Sequence, residues 1–108
     1  MIAGRTVKLG GVDYVVPPLT LGQLRRLEPD IALLGQGTIA TQAPAIIRIV
    51  HAALSRNYPE LTEDAVSELI DLGSMSETID AVMGVSGLKK EAATEESQPT
   101  GVSSTPTS

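Results

Sequence analysis

The chain is predicted to be mainly α: an N-terminal two-stranded β-hairpin, then about four short helices, then a disordered C-terminal tail. Three observations lead there. Two β-rich runs flank a Gly-Gly pair near the amino end. Aliphatic residues then recur at helical spacing between Pro, Gly and capping residues. After Leu88 the composition turns to Lys, Glu, Ala, Thr, Ser, Gln and Pro. Residues 1–88 are therefore read as one hairpin-plus-helix domain and residues 89–108 as a tail that cannot bury enough surface to offset its ordering entropy.

The hairpin comes first. Val7-Lys8-Leu9 and Val12-Asp13-Tyr14-Val15-Val16 are separated by Gly10-Gly11, which can take the positive φ angles of a two-residue turn. Pro17-Pro18 then offers no N–H to a sheet, so the chain must leave it. Thr20 caps the first helix with Gln23 in capping-box position; Leu21, Leu24 and Leu27 share one side, and Pro29 is expected to stop it. Between Asp30 and Gln42 the breakers Gly35 and Gly37 predict a short helical turn and a flexible loop.

From about residue 43 to 57 the periodicity predicts the central buried helix, with Pro44 in its first turn. Ile46, Ile47, Ile49, Val50, Ala53 and Leu54 share its broad apolar face; Arg48, His51 and Ser55 lie opposite or at its edge. Asn57 in a left-handed conformation and Pro59 are expected to end it. Thr62 caps a third helix, Glu63 and Asp64 suit the positive end of its dipole, and Gly73 closes it. A capping box of Ser74 and Glu77 would open a fourth helix, striped by Met75, Ile79, Val82 and Met83 and ending near Gly84.

Residues 1–88 hold 28 Leu, Ile and Val, but the chain has no Phe, no Trp and two Tyr. Its core must consist of many small aliphatic contacts, and a domain of this size has a narrow stability margin that association would widen. The absence of Cys excludes disulfides, thiolate metal sites and Cys nucleophiles. A net charge of −5 leaves no electrostatic footprint for nucleic acid. No apolar run approaches the roughly 20 residues that cross a bilayer, so a soluble, cytoplasmic chain with no membrane partner is expected.

No cluster has the makings of an active site, and neither an enzyme, a cofactor nor a metal is expected. His51 is the single histidine, but its helical neighbours are Ile47, Arg48, Leu54 and Ser55, without an orienting acid or an oxyanion hole. Seven acidic residues from Glu60 to Asp80 (Glu60, Glu63, Asp64, Glu68, Asp71, Glu77, Asp80) occur with no Lys or Arg among them. Their spacing does not match a calcium loop. They read as a solvated helix face whose field can steer a basic partner. Arg25-Arg26 suits helix solvation or an acidic partner, including another copy of the chain.

Several stretches resemble the tail assembly chaperones of long-tailed bacteriophages. They are the run from Val7 through Gly10-Gly11 and Pro17-Pro18 to Leu24; His51-Ala52-Ala53-Leu54-Ser55-Arg56-Asn57-Tyr58-Pro59-Glu60-Leu61-Thr62; Asp71-Leu72-Gly73; and Ala81-Val82-Met83-Gly84-Val85-Ser86-Gly87-Leu88. These are turns and caps, not a chemical signature. The resemblance implies a protein of the host cytoplasm that keeps the tape measure protein soluble until the tail tube polymerises, then leaves and is absent from the mature virion. It also implies a longer frameshifted product that recruits the tail tube protein, and self-association. A partner groove would use Leu21, Leu24 and Leu27 with Met75, Ile79 and Met83. A head–tail or tail component retained in the virion and a small helical adaptor stay open as alternatives.

Overall fold

The computed structural model describes residues 1–88, and the predicted tail lies outside them. Strands β1 (Arg5–Leu9) and β2 (Val12–Val16) pair antiparallel, with Val7 opposite Tyr14 and Leu9 opposite Val12. Gly10 and Gly11 close the hairpin at φ 59° and 80°, the pairing of positive angles a two-residue turn needs. Alternation puts Val7, Leu9 and Val16 inward, where all are buried, and leaves Lys8 and Asp13 to pair in solvent at 3.6 Å. The predicted hairpin and helices are present. The helices are α1 (Leu21–Leu33), α2 (Ile39–Leu54), α3 (Glu63–Leu69) and α4 (Leu72–Val85).

Helix α2 is the axis. Its Ala45, Ile46, Ile49, Val50, Ala53 and Leu54 are buried, and α1, α3, α4 and β2 all pack on it. Helix α4 completes the core against β1 with Thr78, Ala81 and Val82. Burial of a full-length aliphatic side chain such as Ile49 or Leu54 stabilises the fold by about 2–3 kcal/mol. With no large aromatic in the core, many such contributions must add.

Several boundaries differ from expectation, each for a physical reason. Helix α1 runs through Pro29 to Leu33. The lost backbone bond costs about 3 kcal/mol, but the turn beyond Pro29 carries Asp30, which bonds Arg48, and Ile31, which packs on the core. The predicted loop accordingly shrinks to residues 34–38, with Gly35 and Gly37 at φ 82° and 71°. Thr38 caps α2 by accepting from the Thr41 N–H at 3.2 Å, so α2 starts at Ile39 and Pro44 lies beyond its first turn at an exposed position.

At its other end α2 stops at Leu54, and Asn57 serves as a cross-link. Helix α3 opens at Thr62 as expected, Thr62 Oγ1 accepting from the Ala65 N–H at 3.1 Å. It ends before Gly73, because Ile70 turns extended and Asp71 caps α4. The capping box is Asp71 with Ser74, not Ser74 with Glu77: the Asp71 carboxylate accepts from the Ser74 N–H at 2.8 Å. A carboxylate at this position also meets the positive end of the helix dipole. Helix α4 passes Gly84 and finishes at Val85, and it is Gly87, at φ 82°, that takes the left-handed position after it.

Candidate functional site

Of the three breaks between helices, those after α2 and after α3 differ most in how their polar groups are used. The first, after α2, is sealed. Arg56 donates from Nη1 to the Pro18 carbonyl. Asn57 Oδ1 accepts from the Ile2 N–H at 2.6 Å, while Nδ2 donates to the Ile2 and Val15 carbonyls at 2.9 and 3.2 Å. Tyr58 Oη accepts from the Val15 N–H at 2.9 Å, and the Tyr58 ring meets Tyr14 edge-on at 5.2 Å. In this register both backbone groups of Val15 point away from β1, so Asn57 and Tyr58 satisfy the free edge of β2.

His51 belongs to the same scaffold. Its Nε2 lies 3.0 Å from the Leu61 carbonyl, which only accepts, so Nε2 carries the proton. The Ser55 hydroxyl donates to the Ala52 carbonyl at 2.9 Å, so the helical pair His51 and Ser55 is engaged in backbone bonds. Among the described residues, no group of three or more His, Cys, Asp or Glu is placed to hold a metal ion. No described helix is long and apolar enough to cross a membrane.

The second break, between α3 and α4, is open. Ile70 and Met75 take the N′ and N4 positions around the Asp71 cap, the placement of a hydrophobic staple. Both line a groove of about 390 Å³ that also takes in Ile39, Ile46, Ile47 and Leu72. Leu72 is 74% exposed and Ile39 47%. Leaving two large aliphatic residues wet beside an apolar recess forgoes stabilisation of roughly 1–2 kcal/mol each. A second recess of about 480 Å³ shares Ala43, Ile47 and Ser67 with the groove and extends it to the charged side chains of Arg48, Glu63 and Asp64. The result is one trough along α2, running from Ile39 to Arg48, about 13 Å at the helical rise.

Its electrostatics are uneven. Arg48 binds Asp30 through Nε at 2.9 Å and Nη2 at 2.5 Å, and this bond, assisted by the fields of Asp30 and Glu63, raises the guanidinium pKa. The Arg48 charge is thereby matched by Asp30. Among the described residues, the rim's other charges are the carboxylates Glu63, Asp64 and Asp71. Asp71 is held below the ordinary carboxylate value, first by the Ser74 backbone N–H and then by the Ser74 hydroxyl.

The predicted partner residues divide among three places. Met75 lines the trough. Leu27 is in the core at 8% exposure, and Leu24 is half-buried. Leu21 is 84% exposed on α1. Ile79 and Met83 are half-buried against the core, and Met83 lies toward the end of α4, where Ser86 Oγ accepts from the Leu19 N–H at 2.9 Å. Eight residues of helix separate Met75 from Met83, about 12 Å. The trough residues Ile39, Ile70 and Leu72 were missed because their role depends on where α2 and α4 begin. The available signal was the Asp71-x-x-Ser74 cap.

No family model matches the chain, and neither a curated protein nor a solved structure matches it.

Proposed function

We propose that this protein is an assembly chaperone of the kind used by long-tailed phages: it holds an amphipathic helical segment of the tape measure protein in the α2–α3–α4 trough and releases it when the tail tube forms. The observation that carries the reading is the trough, in which exposed Ile39 and Leu72 rim an apolar recess of about 390 Å³. Such a surface suits an apolar helix face presenting anchors at i, i+3 or i+4, and i+7. The likeness of the hairpin, the His51–Thr62 stretch and the Ala81–Leu88 stretch to tail assembly chaperones supplies the partner. Holding requires no chemistry from the chain.

Co-expression with the tape measure protein of the same genome tests this. Soluble tape measure protein that co-purifies with the chain, and loss of both effects with Leu72→Asp, are expected. No gain in solubility and no co-purification with the unaltered chain would overturn it. Mass spectrometry of purified virions supplies the second arm: the chain is expected to be absent, and stoichiometric retention would make it a structural component.

A further inference from the structure

The charge around the trough selects its occupant. We propose that the trough accepts an amphipathic helix of another protein that carries adjacent apolar anchors flanked by Lys or Arg, and rejects the same apolar helix flanked by Glu or Asp. This rests on the reading of the trough as a helix-holding surface and adds the chemistry of what it holds. Glu63 and Asp64 stand at one end and Asp71 at the other, and the one cation among the described rim residues, Arg48, is bonded to Asp30. There is no Lys or Arg between Glu60 and Asp80 to dilute that field. Like charges brought into this rim are repelled, whereas basic flanks gain both steering and pairing.

A second copy of the chain fits less well. Among the described residues, the basic apolar helix face is that of α1, where Arg25 and Arg26 accompany Leu21. The exposed large apolar residues of α1 are Leu21 at 84% and Leu33 at 37%. They are 12 residues apart, about 18 Å along the helix, and span more than the trough. Leu24 is half-buried and Leu27 is in the core. A copy would therefore supply one anchor where the recess has room for two or more.

Fluorescence anisotropy with three labelled synthetic peptides separates the possibilities. Each is about 18 residues long, to favour helix formation, with one Leu/Ile stripe and with Lys, Gln or Glu at the flanking positions. The Lys peptide is expected to bind the full chain at least tenfold more tightly than the Glu peptide at low salt, with the gap narrowing as salt screens the rim. Glu63→Gln with Asp64→Asn should shrink that gap, and a gap left intact by the double substitution would overturn the proposal. Glu28→Gln, an exposed carboxylate on α1, should not alter it. Leu72→Asp adds a negative charge while removing an apolar contact, so it should weaken the Lys peptide; a stronger Lys complex would mean unspecific ion pairing and overturn the proposal. Equal affinity for all three peptides would overturn the charge selectivity alone and leave the groove reading standing. Sedimentation showing a dimer that both Leu21→Ala and Leu72→Asp dissolve would identify a second copy as the occupant and overturn it as well.

Discussion

Two of the breaks between helices, at residues 55–62 and at residues 70–71, are built from similar materials and do opposite things. After α2, Arg56, Asn57 and Tyr58 turn their polar groups inward, onto Pro18, Ile2 and Val15, and lock the hairpin to the central helix. Between α3 and α4, Asp71 spends its carboxylate on its own helix, and Ile70 and Leu72 turn apolar surface toward the trough. A break whose polar groups bond distant backbone becomes scaffold. One whose polar groups bond locally leaves its apolar neighbours free to serve as a surface. The first should therefore respond to mutation in stability and the second in binding.

The largest stability effect is expected at Asn57. Asn57→Ala removes three partly buried hydrogen bonds and leaves the Val15 carbonyl unsatisfied, which should cost about 2–3 kcal/mol in urea unfolding. Partner affinity of the folded fraction should be unchanged; a fall in that affinity without a fall in stability would erase the contrast between the two breaks. Tyr58→Phe keeps the edge-on contact with Tyr14 and removes the bond to the Val15 N–H, a loss of about 1 kcal/mol. If it proves neutral, the free edge of β2 is satisfied some other way.

Asp71→Ala should have a smaller effect, and a pH-dependent one. Because the folded-state carboxylate is held below its ordinary value, its stabilising contribution is present above the unfolded value of about 4 and is lost as pH falls through the folded value. Denaturation of the variant and the unaltered chain should differ at neutral pH and converge in strong acid; a gap that widens in acid would contradict the cap. Leu72→Asp should change stability least, within about 0.5 kcal/mol, since the site is exposed and a carboxylate suits the first turn of α4. Its binding effect should be the greatest of the four, and intact stability measured on the same sample makes that interpretable.

Local chemistry made the hairpin, Thr20 with Gln23 and the Thr62 cap legible in the sequence, because turn, cap and strand signals there agree. The boundaries that shifted are those where a local signal competes with a tertiary one. Pro29 marks a stop, yet Asp30 finds Arg48 on another helix. Asp71-x-x-Ser74 and Ser74-x-x-Glu77 both spell a capping box, and the first also sets Ile70 and Met75 at the N′ and N4 positions of a hydrophobic staple. Asn57 was legible as punctuation, but its bonds span 55 and 42 residues, a separation that no periodicity reports. Of the six anticipated partner residues, Met75 lines the trough, since pattern locates an apolar face without saying whether another helix covers it.

Amide hydrogen exchange on the full chain, alone and in complex with the co-expressed tape measure protein, tests the division between scaffold and surface most directly. New protection confined to the first half of α2 and to residues 66–75 is the predicted result. Protection that appears instead over Leu21 and its neighbours on α1, or on the hairpin, with the trough unchanged, would contradict it.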